Sequence, residues 1–379
     1  MPSLSRLLER RSVILGILVI VTAGLWVATS LAARSYRHEE RSLAKQWFAL
    51  GEAALAKGNS EAAVGDFRTA LAYSPQWTYR LQLAQALLQS GREDEARAHL
   101  VSLWEEEPAN AAVNLDLARL AARKDDVQTA EKYYHSAIYG VWENENPVTV
   151  RTNVRLELAD FLLRHGDNAS ADAELEAAIP NLPNDPAQHV RVADMMVRAG
   201  DLHSAMAEYE KALKIDPHSV PALTGAGAIA FRIGDYRTAR KYLEVAVQLG
   251  AGNAQTTEEL RVAEAVLQLD PFAPRLTLAE RARRTVQVFR YPLERLRACA
   301  GKSAQGTTPA NLPSFEPLYA RARAWQPLTE RRLERNPDMI DAVMDWAATA
   351  EAAATRTCGP PSGPDLAISL LTKNGLRHP

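Results

Sequence analysis

Residues 200–217 read GDLHSAMAEYEKALKIDP. A Gly-Asp pair opens the stretch, alanines stand at 205 and 212 around Tyr209, and Asp-Pro closes it. The same skeleton stands upstream in 58–75, GNSEAAVGDFRTALAYSP, and downstream in 234–246, GDYRTARKYLEVA. Self-similarity at a fixed period marks an array of stacked units rather than one globular core.

Six units align on the recurrent small positions. The residues that open the skeleton are Gly58, Gly91, Asp125, Gly166, Gly200 and Gly234, so successive units lie 33, 34, 41, 34 and 34 residues apart. The long interval carries a seven-residue excess near 140–150. An alanine follows each opening residue by five positions: Ala63, Ala96, Ala130, Ala171, Ala205 and Ala239. Four residues later stands a large side chain: Phe67, Leu100, Tyr134, Leu175, Tyr209 or Leu243. Each type has a mechanical reason. Glycine takes the left-handed conformation that ends a helix. Alanine lets two helices of a hairpin approach closely, and the large residue fills the gap beside the next unit. Proline, at 75, 108, 183 and 217, stops the second helix. A single such hairpin cannot bury its apolar face, so neighbours must stack.

This pattern resembles the tetratricopeptide repeat (TPR), a helix-turn-helix of 34 residues, over residues 44–251. The departures are Asp125 in place of glycine, Trp142 and Ala251 in place of the final proline, and the insertion. The resemblance implies an all-α, right-handed TPR-type helical solenoid whose first helices line a concave groove. One groove position falls on Arg123, Arg164, Arg198 and Arg232; four residues earlier stand Arg119, Asp160, Asp194 and Ala228. A second groove position holds Phe48, Leu81, Leu115, Leu156 and Val190. The resemblance thus implies an arginine ladder over an apolar floor, suited to an extended, partly acidic peptide or protein partner. The competing reading is that Asp160–Arg164 and Asp194–Arg198, at helical ion-pair spacing, serve each other and solubility. The family's carboxylate clamp needs Lys and Asn where this chain has Glu52 and Asp116, so no such clamp is expected.

Residues 12–33, SVILGILVIVTAGLWVATSLAA, carry no charge. As a helix they extend about 33 Å, enough to cross a bilayer. Arg6, Arg10 and Arg11 precede them and Arg34, Arg37 and Arg41 follow, so the flanking charge does not decide orientation. The run is long for a signal peptide, although Ser30-Leu31-Ala32 fits a cleavage site. We therefore expect a short tail (1–11), an uncleaved single-pass transmembrane anchor (12–33), six repeats (44–251), capping and basic helices (252–300), a linker (301–313) and a small helical C-terminal region (314–379).

Of 379 residues, 24% are charged and the net charge is −2. That near-neutral sum hides a polarity: 33 acidic against 22 basic residues over 44–272, then 13 basic against 5 acidic over 273–335. A basic stretch after an acidic array complements it or seeks acidic lipid, polymer or protein. It has only Phe289 and Tyr291 for stacking within 275–302, so nucleic acid is not an expected partner. Residues 254–268 read as a capping helix. Thr277-Leu-Ala-Glu280 is a capping box before a basic helix to about Ala300, with a kink at Pro292. Further helices are expected at 315–335 and 338–357, with a short apolar piece at 366–372.

Cys299 and Cys358 are the only cysteines, each at the predicted end of a helix. Without a CxxC or paired histidines they are no zinc site. They are expected to form a disulfide in an oxidising compartment, the alternative being two unrelated buried thiols. On that pair and the short N-terminal tail, the soluble part is placed outside the cytoplasm. Gly225-Ala-Gly-Ala-Ile-Ala230 mimics a dinucleotide fingerprint, but it lies inside a repeat helix with no preceding strand and reads as tight helix packing. Asn168-Ala169-Ser170 matches a glycosylation acceptor by chance. Eight scattered histidines lack metal-ligand spacing. No nucleophile elbow, phosphate loop or catalytic carboxylate pair is present, so no catalytic residue, metal or cofactor is expected. The sequence points to a membrane-anchored, non-catalytic TPR scaffold. The alternatives are a regulatory subunit of envelope or lipopolysaccharide assembly and an enzyme with its site in the C-terminal third.

Overall fold

The computed structural model describes residues 3–143, 146–304 and 315–373, with side chains from residue 18 onward apart from 19, 20, 32 and 301–304. Among the described residues every regular element is a helix, and the sole extended pairing is an isolated parallel bridge between Asn110 and Val141. The chain divides into two compact units, Met1–Asp167 and Asn168–Pro379.

The first unit holds α1 (Ser3–Ala56), α2 (Ser60–Tyr73), α3 (Trp77–Gln89), α4 (Glu93–Glu106), α5 (Ala111–Arg123), α6 (Val127–Tyr139) and α7 (Pro147–Arg164). The second holds α8 (Asn168–Ala178), α9 (Pro186–Ala199), α10 (Leu202–Ile215), α11 (Val220–Ile233) and α12 (Tyr236–Gln248). It continues with α13 (Ala254–Leu269), α14 (Leu278–Ala304), α15 (Glu316–Trp325), α16 (Glu330–Arg335), α17 (Asp338–Cys358) and α18 (Gly363–Lys373). Consecutive helices pack as antiparallel pairs: α1 on α2 and α5 on α6 in the first unit, α9 on α10 and α11 on α12 in the second.

The quoted stretch shows how the hairpin closes. Gly200 holds φ +100°, ending α9 in the left-handed region where a Cβ is disfavoured. Asp201 N–H then donates back to Met196 O at 3.0 Å, while its carboxylate accepts from the His203 and Ser204 N–H groups at 3.1 Å. One residue thus satisfies orphan groups of both helices. Gly234 and Asp235 repeat the arrangement between α11 and α12. Asp125, where the glycine is missing, still holds φ +55°. Ala63, Ala96, Ala130, Ala171, Ala205 and Ala239 are all fully buried, and so are or nearly are the large residues four positions on. Within the fingerprint-like run, Gly227 lies against Leu243, and a Cβ on Gly225 would overlap the Tyr209 ring. Both glycines therefore serve close helix packing.

The seven-residue excess is held by its backbone. Val141 N–H donates to Ala109 O at 2.8 Å, Ala111 N–H donates to Val141 O at 3.0 Å, and Trp142 Nε1 donates to Ala137 O at 2.9 Å. Asn144 and Glu145, within it, lie outside the described residues.

The C-terminal third shares its core with the last repeat. Ala230, Tyr236, Ala239 and Leu243 join Val262, Val266, Phe289, Trp346 and Ile368 in one apolar cluster. Trp346 is fully buried and donates Nε1 to Leu318 O at 3.1 Å. The capping helix forms as α13, and Arg284 closes it by donating to Leu267 O and Asp270 O at 2.8 and 2.9 Å. Thr277 Oγ1 accepts from Glu280 N–H at 3.2 Å, as the capping box requires, and α14 continues through Pro292 to Ala304. The single helix expected at 315–335 is instead two, α15 and α16, because Pro327 removes a helical donor between them. Residues 305–313 of the expected linker lie outside the described residues; 301–304 belong to α14. Cys299 and Cys358 form a disulfide with Cα atoms 5.9 Å apart, joining α14 to the end of α17.

The transmembrane expectation is not met by the described residues: none of their helices is long and apolar enough to cross a membrane. Residues 12–17, 19, 20 and 32 of the uncharged run fall outside the described side chains. Those that are described, Leu18, Val21, Leu25, Trp26, Val27 and Leu31, are exposed on α1.

Candidate protein-binding site

The groove residues lie on the first helices of the hairpins. In the first unit these are α1, α3, α5 and α7. Leu81 and Leu115 are 8% exposed and Leu156 is fully buried. Phe48 stacks on Tyr79 at 4.6 Å and touches Phe67 at 5.4 Å between ring centres. The apolar floor expected at these four positions is therefore packing between helices rather than open groove. Leu81, for example, shares an apolar cluster with Leu100 and Leu103 of α4 and Val113 and Leu117 of α5, so helix-on-helix burial takes it.

The arginines of this unit are fastened. Arg119 makes a two-pronged bond to Glu157, Nε to Oε1 and Nη2 to Oε2, both at 2.8 Å, and lies 3.9 Å from Asp116. Tyr134 OH donates to Glu157 at 2.9 Å and Gln85 Nε2 donates to Asp116 at 3.0 Å. A polar chain, Gln85–Asp116–Arg119–Glu157–Tyr134, thus stitches α3, α5, α6 and α7. Burial pushes the Asp116 carboxyl up, against the pull of Gln85 and Arg119. Burial works on Glu157 in the same direction, but the bonds from Arg119 and Tyr134 outweigh it and hold its pKa below the usual value. Arg123 reaches Glu93 at 3.1 Å, and Arg164 pairs with Asp160 at 3.3 Å beneath a 5.8 Å approach to the Phe161 ring.

In the second unit the first helices are α9 and α11. Val190 is half-buried, and Arg198 and Arg232 are exposed one repeat apart. Asp194, at ion-pair spacing from Arg198, also accepts from the Tyr209 hydroxyl. Beneath them His189 donates Nδ1 to the buried Glu208 at 2.7 Å, and Lys211 donates to the same carboxylate at 2.6 Å. Asp172, Glu176 and Asp201 bring carboxylate oxygens within 4.8 Å of one another, although Asp201 is already committed to capping α10.

Glu157, Tyr134 and Gln85 escaped the sequence reading. The register pairs Arg119 with Asp160 at equal positions of successive units, a hint of attraction between repeats. The true partner sits three residues earlier, almost one turn back, where the neighbouring helix brings its side chain across.

Tetratricopeptide repeat family models match residues 48–103, 87–138 and 196–256, leaving out 139–195, where the insertion lies. No curated protein sequence matches the chain. Among solved structures, pilF of Pseudomonas aeruginosa is 20% identical with a TM-score of 0.42, covering 59% of this chain and 97% of that one. A TPR protein from Cytophaga hutchinsonii is 15% identical with a TM-score of 0.46, covering 63% and 92%. YrrB, a TPR protein with an unusual peptide-binding site, is 16% identical with a TM-score of 0.41, covering 50% and 95%. Among the described residues every regular element is helical and the hairpins are TPR-like, and residues 48–138 and 196–256 match tetratricopeptide repeat models.

Proposed function

We propose that this protein is a membrane-anchored, non-catalytic scaffold that binds an extended, partly acidic segment of another protein along the first helices of its hairpins. The observation that carries the reading is the recurrence of exposed Arg198 and Arg232 at one position of two successive hairpins, with half-buried Val190 earlier on the same helix as Arg198. A guanidinium offers a planar fork of donors to a carboxylate, and two spaced one repeat apart read an extended chain. Arg119 and Arg123 stand on α5 of the first unit, where Glu157 and Glu93 pair with them.

The anchor reading is supported by the uncharged run 12–33 within α1 and by the exposure of Leu18, Leu25, Trp26 and Leu31. The disulfide supports an extracytoplasmic position, because such bonds persist in oxidising compartments. Charge reversal, Arg198→Glu with Arg232→Glu, should abolish partner capture by crosslinking in cells while leaving the helical circular dichroism unchanged. Undiminished capture would remove this face from consideration. Carbonate washing of membranes should retain the full chain and release a version lacking residues 1–43.

A further inference from the structure

The second helices of the same hairpins carry a separate cleft. Between α10, the start of α11 and α12 lies a hollow of about 350 Å³, within the range of about 300–1,000 Å³ usual for ligand sites. Its floor is apolar: Leu223 is 4% exposed, and Leu213, Tyr242 and Val245 are half-buried around it. Lys214 and Lys241 stand exposed at its rim, with Lys241 Nζ 5.3 Å from the Tyr242 ring centre. Neither ammonium has a carboxylate within ion-pair distance among the described residues, in contrast to Lys211, which Glu208 holds at 2.6 Å. The lining holds one acidic residue, Glu210; burial, with Glu210 adding to it, pushes the Tyr242 hydroxyl up. Further along α12, Arg237 and Arg240 are exposed, with Asp235 capping the helix and Glu244 within it.

The geometry points to this cleft as a second docking site, taking a protein segment that inserts one leucine or phenylalanine and sets a flanking aspartate or glutamate on Lys214 and Lys241. The volume admits one large apolar side chain, and its burial supplies the affinity. The unpaired rim ammoniums fix the sign of the flanking charge and the direction of approach. The cleft is lined from α10, α12 and the start of α11, whereas Arg198 and Arg232 stand at the C-terminal ends of α9 and α11. The two repeats therefore hold two ligands at once, and the protein bridges them.

Random peptides displayed on phage, selected against the full chain, test this directly. The expected winners combine leucine or phenylalanine with an adjacent acid. Their affinity should fall by about tenfold or more in the Lys214→Glu, Lys241→Glu double variant and in Val245→Asp, and stay unchanged in Arg198→Glu with Arg232→Glu. Thermal melts matching the parent protein show that the variants fold. Failure to enrich any peptide, winners without acidic residues, or winners indifferent to both cleft variants would overturn the proposal. So would binding of phosphatidylglycerol vesicles, in place of peptide, that the lysine variant abolishes. Loss of capture in the arginine variant alone bears on the first-helix face and not on this one.

Discussion

Gly200 and Asp125 occupy the same place in their hairpins and both hold positive φ, at +100° and +55°. No atom lies within 4 Å of a Cβ added to Gly200, so substitution there meets only backbone strain. Gly200→Ala should lower stability by about 1 kcal/mol. Asp125→Gly should raise it or leave it unchanged, because glycine relieves the same strain that aspartate bears in the native turn. Urea unfolding midpoints decide both. Equal and opposite residue types giving equal shifts would show that the turn does not depend on the left-handed conformation. The same economy explains Asp201, which bonds α9 with its amide and α10 with its carboxylate.

Helices α14 and α17 meet at a joint of two kinds. The disulfide Cys299–Cys358 closes a separation of 59 residues, a loop worth about 4 kcal/mol to the folded state on chain-entropy grounds. Reduction, or Cys299→Ser with Cys358→Ser, should lower the melting temperature of the second unit and leave the first unit's repeats folded. Alkylation of the unreduced protein should find no free thiol. Beside the disulfide, Arg295 contacts the buried Glu351 and donates to Gly359 O at 2.7 Å. Burial pushes the Glu351 carboxyl up to about 7; Arg295 opposes the rise and Asp365 adds to it. Glu351 is thus raised above its value of 4.5 in an unstructured chain. Its contribution is present below that value and is lost as pH rises through about 7. Melting temperature should therefore fall between acid and mildly alkaline conditions, and Glu351→Gln should flatten the profile. A profile unchanged by that substitution would place the titration elsewhere.

Across the molecule, two kinds of pattern had different visibility. The hairpins were legible because their determinants are local: a left-handed residue, a cap one position later, an alanine five positions on. Ala205 and Tyr209 are buried as their spacing requires. The disulfide was legible as one of two readings, since only two cysteines exist. The binding face was legible in position but not in chemistry. Leu81, Leu115 and Leu156 belong to the floor by repeat arithmetic, yet they are buried. Arg119 belongs to the ladder, yet Glu157, 38 residues away, takes its guanidinium. Such pairings arise from how one helix lies on the next, and no short spacing records them. Similarly, the cleft under Lys214 and Lys241 joins residues of three helices whose juxtaposition the 34-residue period does not advertise.

A photo-crosslinking amino acid placed at Arg198 or Arg232, in full-length protein expressed in cells, interrogates the first-helix face most directly. The scaffold reading predicts discrete covalent adducts of one protein partner from both positions, absent when the probe replaces the exposed Lys132 of α6. Adducts that fail to form at both arginine positions, or that form equally from every exposed site, would contradict it.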